Sequence, residues 1–153
     1  MKYNIKILWK NDSAEQFTKN KYSRAHKWVF DGGIEVPASS SPQIVPVPMS
    51  DKSAVDPEEA FIAALSSCHM LFFLSIAAKQ NYVIDRYEDK AEGVMGKNDN
   101  GKTAMNEVTL HPQVIFSGSN FPSPDQVDKL HQLAHAQCFI ANSVRTKINI
   151  KPN

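Results

Sequence analysis

The sequence predicts an α+β fold in a single domain that covers residues 1–153. Alternating apolar residues near the N-terminus indicate a strand, and a long apolar segment over residues 57–79 indicates a buried helix. Later segments add a hairpin, a second helix and a last strand. Elements in this mixed order are typical of α+β proteins, and a chain of 153 residues fits one compact domain.

The first predicted elements are two strands. Residues 3–9 alternate, with Tyr3, Ile5, Ile7 and Trp9 on one side, as in a strand with one buried face. Residues 26–30 form a second extended stretch that runs into Asp31-Gly32, a hairpin signal, so we expect a turn near Gly32. Residues 36–48 carry four prolines and three serines. Because proline lacks the N–H that a central strand needs, this segment is predicted to be a long ordered loop or an edge segment.

A long first helix is predicted from Pro57 to about Lys79. Asp56 is a suitable N-cap, Pro57 fits the first helical position, and Glu59 lies three residues after the cap, as in a capping box. Asn81 can take the left-handed conformation that ends a helix. Apolar residues lie on nearly every face, which indicates a central helix covered on both sides.

The second half of the chain predicts a hairpin, a helix and a strand. Strands are expected over residues 85–95 and 103–117, joined by a turn-rich segment and paired as one long hairpin. Ser123 and the proline after it begin a second helix that runs to about Cys138. Residues 146–150 alternate again and predict a short last strand.

Charge and hydropathy disfavour several classes of partner. Seventeen Lys and Arg oppose sixteen Asp and Glu, for a net charge of +1 without a basic stripe, so no nucleic-acid partner is expected.

The N-terminus lacks the apolar block of a signal peptide, which predicts a cytoplasmic protein. Residues 60–78 approach the length of a membrane span, roughly 20 residues. The polar run from Ser66 to His69 at its middle disfavours insertion, so no membrane partner is expected.

Two cysteines are the candidate reactive residues. Cys68 lies in the first long helix and Cys138 at the end of the second. They could be inert core residues, a structural disulfide or a redox pair, and a reducing cytosol disfavours the structural disulfide. The polar neighbours of Cys68 are unusual in an apolar helix and suggest a pocket there. Cys138 lies where helix gives way to irregular chain, which would allow its thiol to move.

A metal site is a competing interpretation. His131, His135 and Cys138 are spaced to share one helical face and could join Cys68 and His69 around zinc. Paired short spacings such as Cys-x-x-Cys are missing, and histidines on an amphipathic helix are more often surface residues, so no metal is predicted. Sequence motifs for serine-type hydrolases and for phosphate-binding glycine loops are also missing.

Four segments together resemble the OsmC/Ohr family of bacterial thiol peroxidases. They are DPEEAFIAALSSCHMLFFLSIAAK, CFIANSV, YSRAHKWVFDGG and VPASSSP. The resemblance runs from about Tyr22 to the C-terminus. The chain is more similar to the OsmC-like branch than to the organic-hydroperoxide-resistance branch, in which proline commonly follows the second cysteine.

The resemblance implies a fold and a set of active-site residues. The fold is OsmC-like, with strands flanking a buried central helix in an intertwined homodimer. Cys68 is implied as the peroxidatic thiol, Cys138 as the resolving thiol, Arg24 as the activating guanidinium and Glu58 as the carboxylate that holds Arg24. A peroxidatic cysteine reacts as a thiolate, and because burial alone disfavours that charge, a fixed positive charge beside it is required.

The implied activity is a cysteine-based peroxidase that reduces organic hydroperoxides, with hydrogen peroxide as a second candidate substrate. The Cys68 thiolate would become a sulfenic acid, and Cys138 would condense with it to a disulfide that an external dithiol reduces. No cofactor is required. Phe72, Phe73 and Met70 are candidates to receive an alkyl chain. The alternative is a non-catalytic binding or structural domain of the same fold, with its cysteines reduced and far apart.

Helix geometry gives a separate reason to expect a homodimer. Glu58 and Cys68 are ten residues apart, which places them roughly 15 Å apart along a regular helix. One chain then cannot bring both side chains to a single site. Two copies of the helix packed antiparallel across a two-fold axis would bring Glu58 of one subunit towards Cys68 of the other.

Overall fold

The computed structural model describes residues 1–152, over which it has eight strands, three α-helices and one 3-10 helix. The predicted α+β class is confirmed. The chain divides into two compact units, residues 1–60 and residues 61–153. The prediction of one domain over the whole chain stays a prediction.

The first unit contains an antiparallel three-stranded sheet. Its strands, in the order β1-β2-β3, are β1 (Ile5–Leu8), β2 (His26–Phe30) and β3 (Glu35–Ala38). The hairpin turn predicted near Gly32 joins β2 to β3, and Gly33 takes a φ of +85°, a conformation that glycine adopts without strain. Pro37 lies in β3, an edge strand, as expected for a residue without a backbone N–H.

Two features of the first unit differ from the sequence predictions. The apolar side chains of β1 that were expected to be buried are exposed, with Ile5 at 52% and Ile7 at 56%. Alternation predicts which face of a strand is apolar, but another element must cover that face before it is buried. The short helix α1 (Ala14–Thr18) was missed, because five residues are too few to show helical periodicity. Its signal was the Ser13 side chain, which accepts a hydrogen bond from the Gln16 N–H.

The long helix α2 has the predicted bounds, Pro57–Lys79. The Asp56 carboxylate accepts a hydrogen bond from the Glu59 N–H at 2.8 Å, and the Glu59 carboxylate accepts one from the Asp56 N–H at 3.4 Å. These two bonds form the predicted capping box. Asn81 has a φ of 61°, the left-handed conformation expected after the helix.

Within residues 1–152, α2 is also the one helix whose length and mean hydropathy, 1.9, match a membrane span. Core helices of other proteins meet the same two criteria. Five α2 side chains are buried among residues of the second unit: Leu65, His69, Phe73, Ile76 and Ala77.

The long hairpin predicted in the second unit is present, but it is interrupted near its middle. Its two arms form four strands: β4 (Val83–Asp89), β5 (Glu92–Lys97), β6 (Thr103–Leu110) and β7 (Pro112–Ser117). β4 pairs with β7 and β5 pairs with β6, in two separate sheets. The break occurs where the Asp89 carboxylate accepts a hydrogen bond from the His111 N–H at 2.6 Å, so this backbone group bonds a side chain instead of a neighbouring strand.

The last elements follow the prediction closely. Helix α3 (Pro124–Gln137) begins with a capping box between Ser123 and Gln126. A 3-10 helix (Ala141–Ser143) follows, and then β8 (Lys147–Ile150), which lies parallel to β6. The parallel pairing brings the end of the chain to the same sheet as β5.

Two apolar clusters form the core of the second unit, and α2 contributes to both. The first contains Phe73, Ile76, Ala77, Tyr82, Leu130 and Ala134. The second, which we call the cysteine cluster, contains Leu65, Val108, Leu110 and Cys138. Gly93 on β5 allows α2 to lie close to the sheet, since a Cβ there would come within 2.6 Å of the Ile62 and Met105 side chains.

Candidate active site: two thiols and an arginine cleft

The second unit brings the two cysteines together. Both are free thiols. Cys138 is fully buried in the cysteine cluster, and Cys68, which is half-buried, packs against the same cluster. The two thiols are therefore neighbours within one apolar cluster. Packing between α2 and the end of α3 therefore makes neighbours of two residues far apart in the sequence.

The position of Cys138 is more constrained than the sequence suggested. Its N–H donates to the His135 carbonyl at 3.2 Å, and its carbonyl accepts from the Asn142 N–H at 3.0 Å. Its sulfur accepts a hydrogen bond from the Ala141 N–H at 3.4 Å. These bonds fix the shape of the turn after α3, so the thiol is less free to move than the end of a helix suggested.

The two thiols have different surroundings. Burial, and after it the neighbouring Cys68 thiol, raises the pKa of the Cys138 thiol to about 11. Cys138 is therefore protonated at neutral pH, and a protonated thiol is a poor nucleophile. Cys68 is the more exposed of the two, so a solute reaches it first. The cluster around both thiols is apolar and supplies no positive charge.

His69, which directly follows Cys68 in the sequence, forms a buried pair with His131. His69 is 1% exposed and His131 is 3% exposed, and His69 Nε2 lies 3.1 Å from His131 Nδ1. The pKa of each imidazole is lowered to about 4, mainly by burial and, for His69, also by the charge of His131. Both rings are therefore neutral at pH 7.

The structure does not assemble the zinc site considered from the sequence. Over the described residues 1–152, His, Cys, Asp and Glu side chains form no group of three or more that could hold a metal ion. The expectation that His131 lies on the surface is wrong. Its ring stacks on Phe73 with centroids 4.3 Å apart, inside the core between α2 and α3. Helical spacing places residues on one face but does not show which face is buried.

The polar run in α2 is explained by separate partners. The Ser66 hydroxyl donates to the Asp89 carboxylate, Ser67 is exposed, and His69 bonds His131. Asp89 was not identified from the sequence, and no sequence signal could have identified it, because its partners Ser66 and His111 reach it only in the folded chain.

Of the aromatic candidates for substrate contact, Phe73 is excluded. It is 0% exposed and belongs to the first core cluster. Phe72 is half-buried and packs against the cysteine cluster. Its ring meets the ring of Phe139 edge to face, with centroids 5.0 Å apart and planes at 88°. This contact between the two rings was not predicted from the sequence, although Phe139 directly follows Cys138.

Arg24 and Glu58 line one cleft of the first unit. The cleft has a volume of about 550 Å³. One wall is a group of aromatic rings, Trp9, Phe17 and Tyr22, whose centroids are 4.7–5.7 Å apart. This volume lies within the range of small-molecule sites, roughly 300–1,000 Å³. The cleft combines an apolar wall with a cation and a carboxylate.

The Arg24 side chain is held by neighbours in its own segment. Its guanidinium donates to the Asn20 side-chain oxygen at 2.7 Å and to the Tyr22 carbonyl, and its Cζ lies 3.7 Å from the centroid of the Tyr22 ring. Glu58 is not a hydrogen-bond partner of this guanidinium in residues 1–152. The Arg24–Glu58 pairing that the resemblance implied is therefore not formed here.

Comparison with known proteins identifies a family. The sequence model of the OsmC-like protein family matches residues 50–153, more than half of the chain. The "organic hydroperoxide resistance protein-like" of Staphylococcus aureus strain USA300 is 25% identical over 130 residues, which are 85% of this chain and 86% of that protein.

Solved structures share the fold along the whole chain. An OsmC-like protein of unknown function from Vibrio cholerae is 54% identical, with a TM-score of 0.98 over 100% of this chain and 99% of that chain. The organic hydroperoxide resistance protein OhrB of Bacillus subtilis is 18% identical, with a TM-score of 0.65 over 99% and 97%. At 18% identity, the similarity to OhrB shows a shared fold and does not show a shared activity.

Proposed function

This chain belongs to the OsmC-like protein family, and from that premise we propose that it is a cysteine-based peroxidase that reduces organic hydroperoxides. The observation that carries the proposal is the meeting of two free thiols in one apolar cluster, with Cys68 half-buried and Cys138 fully buried. The pair combines an accessible thiol, which a peroxide can reach, with a buried thiol in the same cluster, which can form a disulfide with it.

The proposed reaction uses the two thiols in turn. The Cys68 thiolate attacks one peroxide oxygen, the O–O bond breaks, and the leaving oxygen takes a proton and departs as alcohol. Cys68 is then a sulfenic acid. The Cys138 sulfur displaces the hydroxyl, which leaves as water with the Cys138 proton, and a disulfide forms. An external dithiol reduces the disulfide by exchange and restores both thiols. Neither a metal nor a haem takes part.

A thiol titration tests the proposal directly. After one equivalent of cumene hydroperoxide, both thiols should be lost together, since one peroxide makes one disulfide. An unchanged titration would favour the rival function, a non-catalytic binding or structural domain. Elemental analysis of protein purified without chelator separately tests the metal-site rival, which requires stoichiometric zinc.

Arg24 is proposed to supply the positive charge that the apolar cysteine cluster lacks. An arginine is always charged, so it favours the thiolate at every working pH. The Arg24→Met variant should react with hydroperoxide about tenfold more slowly at neutral pH, the effect of a charge interaction worth about one pKa unit. The rate should recover partly at higher pH as more thiolate forms. Stopped-flow oxidation across a pH series measures this.

The matched control for this variant is Arg145→Met, because Arg145 lines a different cleft in the second unit. It should keep the wild-type pH profile. If Arg24→Met and Arg145→Met show the same profile as wild type, Arg24 has no part in the reaction.

We further propose a cytoplasmic homodimer with Glu58 acting across the subunit interface. α2 is continuous between Glu58 and Cys68, so their axial separation of roughly 15 Å applies. One stripe of α2 is exposed in the single chain: Ala64, Ser67, Leu71, Ser75 and Ala78, with Leu71 at 60%. Small side chains at helical spacing let a second helix approach closely. A second copy of α2 on this stripe would shield its apolar residues from water.

Mixing inactive variants tests this assembly. Glu58→Ala and Cys68→Ser proteins, combined under conditions that allow subunit exchange, should recover one complete site per heterodimer. Peroxide turnover is measured before and after exchange, with each variant alone as the control. A monomeric mass in solution, or no recovery despite demonstrated exchange, would contradict the shared site.

A further inference from the structure

One contact links the segment after Cys138 to the helix that carries Cys68. Phe139 is 65% exposed, and its ring meets Phe72 edge to face at 5.0 Å, a favoured aromatic arrangement. Phe72 lies four residues after Cys68, so their side chains share one face of α2. The ring pair therefore connects the residue after one thiol to the helical turn after the other.

The hydrogen bonds around Cys138 do not make this connection. The Ala141 N–H donates to the Cys138 sulfur at 3.4 Å, and the Ser143 hydroxyl donates to the Phe139 carbonyl at 2.7 Å. The Asn142 side chain donates to the Ala136 carbonyl at 3.0 Å. All three bonds lie within residues 136–143. They shape the turn, but its position against α2 depends on side-chain packing.

We propose that Phe139 and Phe72 form an aromatic latch that positions Cys138 against Cys68. Phe139 acts by holding Cys138 in position, so it is a positioning residue and not a catalytic one. Disulfide geometry is narrow, with sulfur atoms about 2.05 Å apart and Cα atoms about 4.4–6.8 Å apart, so the turn must stay close to α2 for the bond to form. This role rests on the proposed peroxidase function.

The latch decides between two fates of the sulfenic acid. In one, the Cys138 thiol displaces water and the disulfide forms. In the other, a second hydroperoxide transfers an oxygen, giving sulfinic acid and a second alcohol. A loosened turn presents Cys138 less often and slows the first reaction, while the second needs only peroxide. Loss of the latch therefore shifts the product towards sulfinic acid.

The first experiment measures access to Cys138 without peroxide. In a Cys68→Ser background, Cys138 is labelled with a thiol-reactive aromatic disulfide. Phe139→Ala should raise the labelling rate about fivefold, the scale set by loss of one edge-to-face contact. Phe139→Tyr keeps the ring and should restore the slow rate. The matched control is Phe121→Ala, because Phe121 is similarly exposed at 61% and is not part of this ring pair.

The second experiment measures products in proteins that keep both cysteines. With excess cumene hydroperoxide, mass spectrometry should show about a fivefold higher ratio of sulfinic acid to disulfide in Phe139→Ala than in wild type or Phe121→Ala, scaled as above. The initial oxidation of Cys68 should keep its wild-type rate.

If the wild-type protein does not react with the hydroperoxide, the proposed function is rejected, and the labelling rates of Cys138 still test the latch. Equal labelling of Phe139→Ala and Phe121→Ala, or no rescue by Phe139→Tyr, would overturn the latch.

Discussion

Replacing Cys68 with serine is expected to abolish the reaction with hydroperoxides, whereas replacing Cys138 should leave a single reaction intact. A hydroxyl in place of the Cys68 thiol cannot form the sulfenic acid, so turnover should fall by more than about a thousandfold, the scale of removing a nucleophile. Cys138→Ser should consume about one equivalent of peroxide and stop as sulfenic acid, or oxidise further to sulfinic acid in excess peroxide.

Peroxide consumption and intact-protein mass, followed together with a dithiol present, measure this division of roles. The Cys68→Ser/Cys138→Ser double variant sets the background. Burial keeps the Cys138 thiol protonated at neutral pH, with its pKa raised to about 11, so it should not replace Cys68 as the first nucleophile. Equal residual turnover in the two single variants would contradict the assignment.

Mild acid is expected to destabilise the fold through the His69–His131 pair. In the folded chain the pKa of each imidazole is lowered to about 4, while an unfolded histidine titrates near 6.5. Above pH 6.5 the histidines are neutral in both the folded and the unfolded chain, and the fold keeps its full stability. As the pH falls from 6.5 towards 4, only the unfolded chain binds protons at these residues, so the free energy of unfolding falls. Between pH 7 and pH 5 the free energy of unfolding should fall by about 2 kcal/mol for each histidine.

Urea unfolding at a fixed protein concentration, repeated from pH 7 to pH 5, measures this loss. The other ionisable groups that influence His69 are Asp89, whose charge favours its protonation, and His135, whose charge opposes it. A His69→Leu/His131→Leu variant removes both buried imidazoles and should lose much less stability over the same range. The control is His111→Asn, because His111 is part of a surface pair with Glu92 instead. Parallel loss in wild type and the double variant would show that the acid sensitivity lies elsewhere.

The two long helices, α2 and α3, were predictable because their signals are local. The capping boxes that begin α2 and α3 join residues only three positions apart, and Asn81 ends α2 with its own backbone conformation. The turn at Gly32 is local in the same way. The interruption of the long hairpin was not predictable, because the Asp89 carboxylate bonds the His111 backbone 22 residues away, where the strands divide between two sheets.

The candidate site was only partly predictable, because it too depends on contacts between residues that are far apart in the sequence. Residue type and resemblance selected Cys68, Cys138, Arg24 and Glu58. Neither indicated that His131 would be buried against Phe73, or that Phe139 would reach Phe72. These contacts depend on how α3 and the turn after it pack on α2.

By itself, the sequence determined where α2 and α3 begin and end, which residues are capable of thiol chemistry, and the family. Capping, turn chemistry and helical periodicity act over a few residues, so they can be read along the chain. Only the tertiary structure decided that Cys68 meets Cys138, that two histidines share a hydrogen bond in the core, and that Arg24 rests on Tyr22. Such contacts are selected by the packing of whole elements, where buried apolar surface outweighs any local preference of the residues involved.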